Sequence, residues 1–394
     1  MFYCTVLLLF VCVAVGVVQT ADILPARFER LSVGDKVLAD EVTRQKRQIA
    51  IPNAVYNKSY IPYVIDMSVQ KIEPLIKQGI AVWEKHTCVK FHQLQANETK
   101  DLSRYILIKD KGICGLYLKM QNENNQDLSF GNRCHSFTTI LHELGHVLAL
   151  IHTHSRSDRD KYIEMLRPKN DTDVNFRAMP EKVLASFGMP YDYMSVMQYE
   201  GTYGPQRALM PAYQYLMGRP DELAFTDIAM VNLFYKCAET CETQIICKNS
   251  GFQNSKKCNE CVCPHGFGGP TCEIRAGSDD LSTDCGKTLV ASSEFQFVAG
   301  DVHTACDWWI LAEEGKKIEL KFVEYDPKSN SKKCKFGGLE VKLYDTVMTG
   351  FRVCDMETVP KIPEFISNDN LVILHSYVYA ADKPQKFIVA YRQV

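Results

Sequence analysis

Apolar residues along the chain change period several times, and the changes divide it into segments. Residues 6–18 form an unbroken apolar run, followed by small and polar residues around Gln19 to Ala21. The run is too short to span a bilayer and reads as the core of a signal peptide, residues 1–21. Further on, Ile72, Leu75, Ile76, Ile80 and Trp83 recur at three- and four-residue spacing, which predicts an amphipathic helix. Residues 89–91 and 105–108 are short, apolar and rich in β-formers, and predict strands. Residues 136–148 again read as a helix, with Ile140, Leu141, Leu144, Val147 and Leu148 on its apolar positions. The layout is α+β up to Cys237. From Cys285 to Val394 polar and apolar residues alternate, as in 317–322 and 339–344, which is the pattern of a β-sandwich.

Between these two regions the pattern gives way to cysteines: six lie between Cys241 and Cys272. So short a segment cannot bury a large core and needs staples. The whole chain has 16 cysteines; without Cys4 and Cys12 of the signal, 16 − 2 = 14 remain, an even number. With a secretory signal this predicts a disulfide framework and an extracellular location. N-x-S/T triplets at Asn57, Asn97 and Asn170 are candidate glycosylation sites. Residues 22–47 are polar and end in Arg44-Gln45-Lys46-Arg47, a dibasic site for a convertase cutting after Arg47. A net charge of −2 leaves no basic excess for nucleic acid or an anionic membrane, so neither is expected as a partner. No second long apolar segment exists, so the mature form is expected to have no membrane span.

The chemistry sits in the second helix. His142-Glu143-Leu144-Gly145-His146 is an HExxH motif, and i, i+4 spacing puts both imidazoles on one helix face. His152 follows His146 by six residues, where a third ligand must fall if the chain turns sharply after the helix. Three histidines leave a fourth position for water, the layout of a catalytic rather than a structural Zn²⁺, one per chain. Glu143, next to the first ligand, is positioned to act as general base.

The stretch 142–156, HELGHVLALIHTHSR, continuing into Ser157-Asp158-Arg159-Asp160, resembles the zinc signature of the astacin metalloendopeptidases. Residues 191–199, YDYMSVMQY, resemble that family's Met-turn. The resemblance implies a metzincin-like catalytic domain over 48–238, with Met197 beneath the metal. It implies that Tyr199 is an additional ligand that swings away to stabilise the transition state. Ser32-Val33-Gly34-Asp35 resembles the propeptide switch, with Asp35 blocking the metal in a zymogen. Pairs Cys88–Cys237 and Cys114–Cys134 follow from the family pattern. The spacing from Cys241 to Cys272 resembles an EGF-like module over 239–273, implying Cys241–Cys258, Cys247–Cys261 and Cys263–Cys272. Residues 285–394 are similar to a CUB domain, implying Cys285–Cys306 and Cys334–Cys354. Such an arrangement is common in nematode members of the family. The function implied is peptide-bond hydrolysis in extracellular proteins, with the two modules contacting substrate or matrix proteins. The alternative is a catalytically impaired scaffold that binds proteins through those modules.

Three positions depart from the family pattern. Ala149 stands for the Gly that ends the helix, where φ > 0 would strain an alanine. Thr153 stands for the Glu that binds the new N-terminus after propeptide removal, and Gln198 stands for the His before Tyr199. His154 is an outside candidate for a stand-in ligand, pointing away if His152 points in. Calcium is not expected: Ala238-Glu239-Thr240 before Cys241 is without the acidic motif of calcium-binding EGF modules, and Gly337 lies where calcium-binding CUB domains usually carry Asp.

Overall fold

The structure is a computed structural model that describes residues 60–95, 104–116, 125–166, 176–180, 186–201, 205–220, 222–277, 285–302, 305–326, 334, 337–378 and 385–394. The segments 1–21 and 22–47, with Asp35 and Arg47, lie outside the described residues, as do Asn57, Asn97 and Asn170. Among the described residues no helix is long and apolar enough to cross a membrane.

The N-terminal region is a five-stranded sheet under two helices. The strands are β1 (Tyr60–Ile65), β2 (Lys90–Gln93), β3 (Tyr105–Lys109), β4 (Cys114–Leu116) and β5 (Asn125–Phe130), in the order β2-β1-β3-β5-β4. All pairs are parallel except β4 on β5. Helix α1 (Glu73–His86) buries Ile76, Gly79, Ile80 and Trp83, the face that the three- and four-residue spacing predicts. Helix α2 (Phe137–Val147) starts at Ser136, whose hydroxyl accepts from the Thr139 N–H at 3.1 Å. The two helices pack closely because α1 presents Gly79. A Cβ there would lie 2.7 Å from Ile140 Cγ2. The Trp83 indole N–H then reaches the Leu141 carbonyl at 3.1 Å, which fixes the register between the helices.

Between α2 and α3 (Phe225–Phe234) the described residues hold the short pair β6 (Ile163–Met165) and β7 (Gln206–Ala208) and 3₁₀ turns at Thr153–Ser155, Arg159–Lys161 and Pro211–Tyr213. The stapled segment holds two two-stranded ribbons, β8 (Phe252–Gln253) with β9 (Cys261–Val262) and β10 (Phe267–Gly268) with β11 (Ile274–Arg275). The C-terminal region is a sandwich. One sheet joins β12 (Thr288–Val290), β14 (Cys306–Leu311), β16 (Gly337–Lys342), β17 (Phe351–Val353) and β19 (Leu371–Val378). The other joins β13 (Gln296–Val302), β15 (Ile318–Asp326), β18 (Phe365–Ile366) and β20 (Gln385–Gln393). The structure closes the disulfides Cys88–Cys237, Cys114–Cys134, Cys241–Cys258, Cys247–Cys261, Cys263–Cys272, Cys285–Cys306 and Cys334–Cys354.

The three regions share their cores. Tyr191, Tyr193 and Tyr213 of the N-terminal region join one apolar cluster with Val341, Met348 and Phe351 of the sandwich. Phe267 of the stapled segment meets Trp309 edge-on at 5.3 Å, and the Trp309 N–H donates to the Gly266 carbonyl at 2.8 Å. Strand β16 departs from the alternating pattern: all six residues are buried, Glu340 and Lys342 included. Leu339 and Val341 join the apolar cluster of the sandwich, while Glu340 and Lys342 line a crevice with Met194, Leu223 and Phe225 of the N-terminal region and His265 of the stapled segment. The polar positions that would otherwise meet water therefore face a neighbour.

Candidate metal centre and active site

Helix α2 ends as the HExxH spacing requires for a third ligand. The Leu150 N–H returns to the Gly145 carbonyl at 2.9 Å and the Ala149 N–H to the His146 carbonyl at 3.0 Å. This is a Schellman stop, whose hinge residue adopts the left-handed conformation. The hinge is Ala149, with φ 74°. The glycine geometry is kept without the glycine, at a strain of about 1–2 kcal/mol.

The reversal brings His152 back onto His142 and His146. Their candidate ligand nitrogens lie within 4.8 Å of one another, with His146 Nε2 and His152 Nε2 3.0 Å apart. His142 Nδ1 lies 2.7 Å from the Val196 carbonyl, and His146 Nδ1 lies 2.9 Å from the Leu150 carbonyl. A carbonyl only accepts, so both rings carry their proton on Nδ1 and leave the Nε2 lone pair for a metal. Burial lowers the pKa of His142; burial and the neighbouring His142 lower His146 to about 3. His152 is pushed well down by burial and by the imidazoles around it. Three neutral imidazoles converging on one point are a donor set that fits Zn²⁺.

Glu143 is 5% exposed, and burial pushes its carboxyl up to about 8. Its Oε2 is buried and has no hydrogen-bond partner among the described residues. Burying an unpartnered carboxyl oxygen is costly, and a group that works on a bound molecule is one reason to keep it so. The Tyr199 ring lies 4.3 Å from the His152 ring and 6.3 Å from that of His142. His154 stacks on His152 at 5.1 Å, fully buried and outside the three-nitrogen cluster. Met197 lies directly beneath α2: a Cβ on Gly145 would come within 2.7 Å of Met197 Sδ.

The turn carrying Met197 is held by residues to which the sequence reading gave no role. Asp227 in α3 accepts from Ser195 Oγ at 2.6 Å, the Val196 N–H at 2.8 Å and the Ala224 N–H at 3.1 Å. Ser195 Oγ also accepts from Thr153 Oγ1 at 2.9 Å and the Met197 N–H at 3.0 Å. Thr153 is therefore built into the turn, and its own N–H donates to the Met197 carbonyl at 3.0 Å. Gln198 accepts from the Tyr191 hydroxyl at 2.6 Å and donates to Gln206 at 2.9 Å. An acidic residue in the first turn of a largely apolar helix is the visible signal for Asp227, but it reads equally as a cap.

Residues 48–236 match the family model of the astacin peptidases. Zinc metalloproteinase nas-31 of Caenorhabditis elegans is 32% identical over 369 residues, covering 86% of this chain and 57% of the relative. Zinc metalloproteinase nas-27 of the same organism is 30% identical over 353 residues, covering 80% of each. The chain thus spans little more than half the length of some relatives it matches and most of others. Among solved structures, high choriolytic enzyme 1 of Oryzias latipes, a hatching enzyme zinc-protease, is similar at 24% identity and a TM-score of 0.38. That likeness covers 48% of this chain and 94% of the other.

Proposed function

The chain belongs to the astacin family of peptidases, and from that premise we propose that it is a secreted zinc endopeptidase made as a zymogen. The observation that carries the reading is the convergence of three neutral imidazoles beside a buried, unpartnered carboxyl oxygen. In this reading His142, His146 and His152 hold one Zn²⁺. When bound, the metal supplies a Lewis acid that lowers the pKa of water and polarises a peptide carbonyl.

The protein groups supply the rest. Glu143 takes the proton of the attacking water and returns it to the departing amine nitrogen. Its place next to His142 on the helix, with a buried oxygen that no described residue occupies, leaves that oxygen available for both proton transfers. The Tyr199 phenol, beside His152, donates to the negative charge that develops on the carbonyl oxygen. Met197 supports the helix that carries the first two ligands. Cleavage after Arg47 would remove Asp35 from the metal. The catalytic domain is assigned to 48–238, the EGF-like module to 239–273 and the CUB domain to 285–394. Substrates are extracellular proteins or peptides, and the modules contact these or matrix proteins.

The test is hydrolysis of a denatured protein by the matured chain beside its Glu143→Gln variant, with zinc content measured in both. We expect about 10²–10⁴-fold less hydrolysis in the variant at unchanged zinc content. If both proteins hold zinc and neither cleaves, the endopeptidase reading fails and the binding scaffold replaces it.

A further inference from the structure

The turn that orients the metal ligands is gripped from outside its own region. Asp192, at the start of the turn, is 1% exposed. Its Oδ1 accepts from the Met194 N–H at 2.9 Å. Its Oδ2 accepts from the Thr226 hydroxyl at 3.1 Å and from both the N–H and the hydroxyl of Thr349, each at 2.9 Å. Thr349 lies 157 residues further along, in the connection between β16 and β17 of the sandwich. Two of the donors that the described residues bring to this buried carboxyl thus come from the C-terminal region.

The connection carrying Thr349 is itself held in place. Asp345 caps the Val347 and Met348 N–H groups at 2.6 and 2.9 Å, and Glu340 accepts from the Gly350 N–H at 2.9 Å. Lys342 Nζ donates to the Thr346 carbonyl at 3.0 Å. Tyr213 packs alongside, stacked on Tyr193 at 4.8 Å and edge-on to Phe351 at 6.2 Å. On the other side, the turn leads straight to the ligands. The Ser195 N–H bonds the Asp192 carbonyl at 3.2 Å, the Val196 carbonyl faces His142 Nδ1, and the Met197 carbonyl takes the Thr153 N–H next to His152. The links at Asp192 itself are buried hydrogen bonds, and the chain continues from them to the ligands without a break.

We propose that the sandwich is a working part of the metal centre, with Thr349 as a positioning residue that clamps Asp192 and, through the turn 192–197, fixes His142 and His152. The proposal rests on the zinc endopeptidase reading. It goes beyond that reading by making the C-terminal region a determinant of metal retention and turnover rather than only a contact for partners. Thr349 touches neither metal nor substrate. Its effect should therefore fall on kcat and on how firmly the metal is held, not on KM.

The test compares the matured full chain with Thr349→Val and Thr349→Ser. Valine keeps the shape and the backbone N–H and deletes the hydroxyl; serine restores it. Three quantities are read well below the melting temperature: zinc release to a chelator, the visible spectrum of the cobalt-substituted protein, and kcat against KM. We expect Thr349→Val to release zinc about tenfold faster, to shift the cobalt bands and to lose kcat about tenfold at unchanged KM. That is the size of effect that losing a hydrogen bond to a buried carboxylate produces. Thr349→Ser should stay within about twofold of wild type. A lowered melting temperature with zinc release, cobalt spectrum and kcat all unchanged would overturn the proposal, because the role would then be structural. So would a change in KM alone, or a serine variant as impaired as the valine. If the wild type binds zinc but hydrolyses nothing, the endopeptidase reading fails, while zinc release and the cobalt spectrum still decide the clamp.

Discussion

Two buried carboxyls in helices α2 and α3 have opposite surroundings. Burial pushes both upward, Glu143 to about 8 and Asp227 to about 7. Asp227 is surrounded by donors: Ser195, the Val196 N–H and the Ala224 N–H fill its oxygens and pull against that shift. Glu143 has one oxygen with no partner among the described residues. A saturated carboxyl holds its neighbours in one geometry, because moving any of them breaks a bond in a low-dielectric setting. An unsaturated one contributes little to the fold and is free to exchange a proton. The same side-chain chemistry is thus a brace in one helix and, in the proposed mechanism, a reagent in the other, and the supply of donors separates the two.

The comparison can be broken most directly at Asp227. Asp227→Ala should cost about 3–4 kcal/mol, read by denaturant unfolding, since it orphans two N–H groups and a hydroxyl. Zinc should be lost along with it. In the same measurement Glu143→Gln should move by less than about 1 kcal/mol, because no hydrogen bond to the unpartnered oxygen is broken. Equal losses in the two variants would abolish the distinction.

Smaller effects sharpen it. Ala149→Gly removes the left-handed strain of about 1–2 kcal/mol but adds chain entropy to the unfolded state. A net gain of about 0.5–1 kcal/mol is expected in the same unfolding assay. Activity should be retained or raised, since the hinge keeps its geometry.

The smallest effect is a pH dependence in the sandwich. His375 Nδ1 lies 2.9 Å from Asp307 Oδ1, with the charged groups of Glu340 and Lys342 and the ring of His265 also facing it. Burial lowers its pKa, but the Asp307 hydrogen bond and charge, with Glu340, raise it by more. A group whose folded pKa is raised stabilises fully below its unfolded value, about 6.5, and loses that contribution as pH rises through the folded value. Wild-type stability relative to His375→Gln should therefore decline above about pH 6.5. Parallel stability curves for the two proteins would remove this role.

Much of the site could be read along the chain, because its parts are local. Helical spacing alone puts His142 and His146 on one face and Glu143 beside them. Ser136 announces the start of α2, and the distance to His152 demands a sharp stop at Ala149. The left-handed conformation at Ala149 was foreseeable as a strain and is present as one. The burial of β16 was not legible. The alternation over 339–344 gives one polar face, and nothing local says that a second region will cover Glu340 and Lys342. Asp192 and Asp227 were equally opaque, since an acid in a turn or near a helix start is ordinary on a surface.

What the sequence determined by itself was the local chemistry: which residues could ligate a metal, which could exchange a proton and where the chain had to turn. These follow from periodicity and backbone preference, which act over a few residues. Only the tertiary structure decided which carboxyls would be saturated. It brought Ser195 and Val196 to Asp227 across 32 and 31 residues, and Thr349 to Asp192 across 157. Donors that far apart meet only when whole regions pack, and the apolar cluster joining Tyr213 to Phe351 is what packs them.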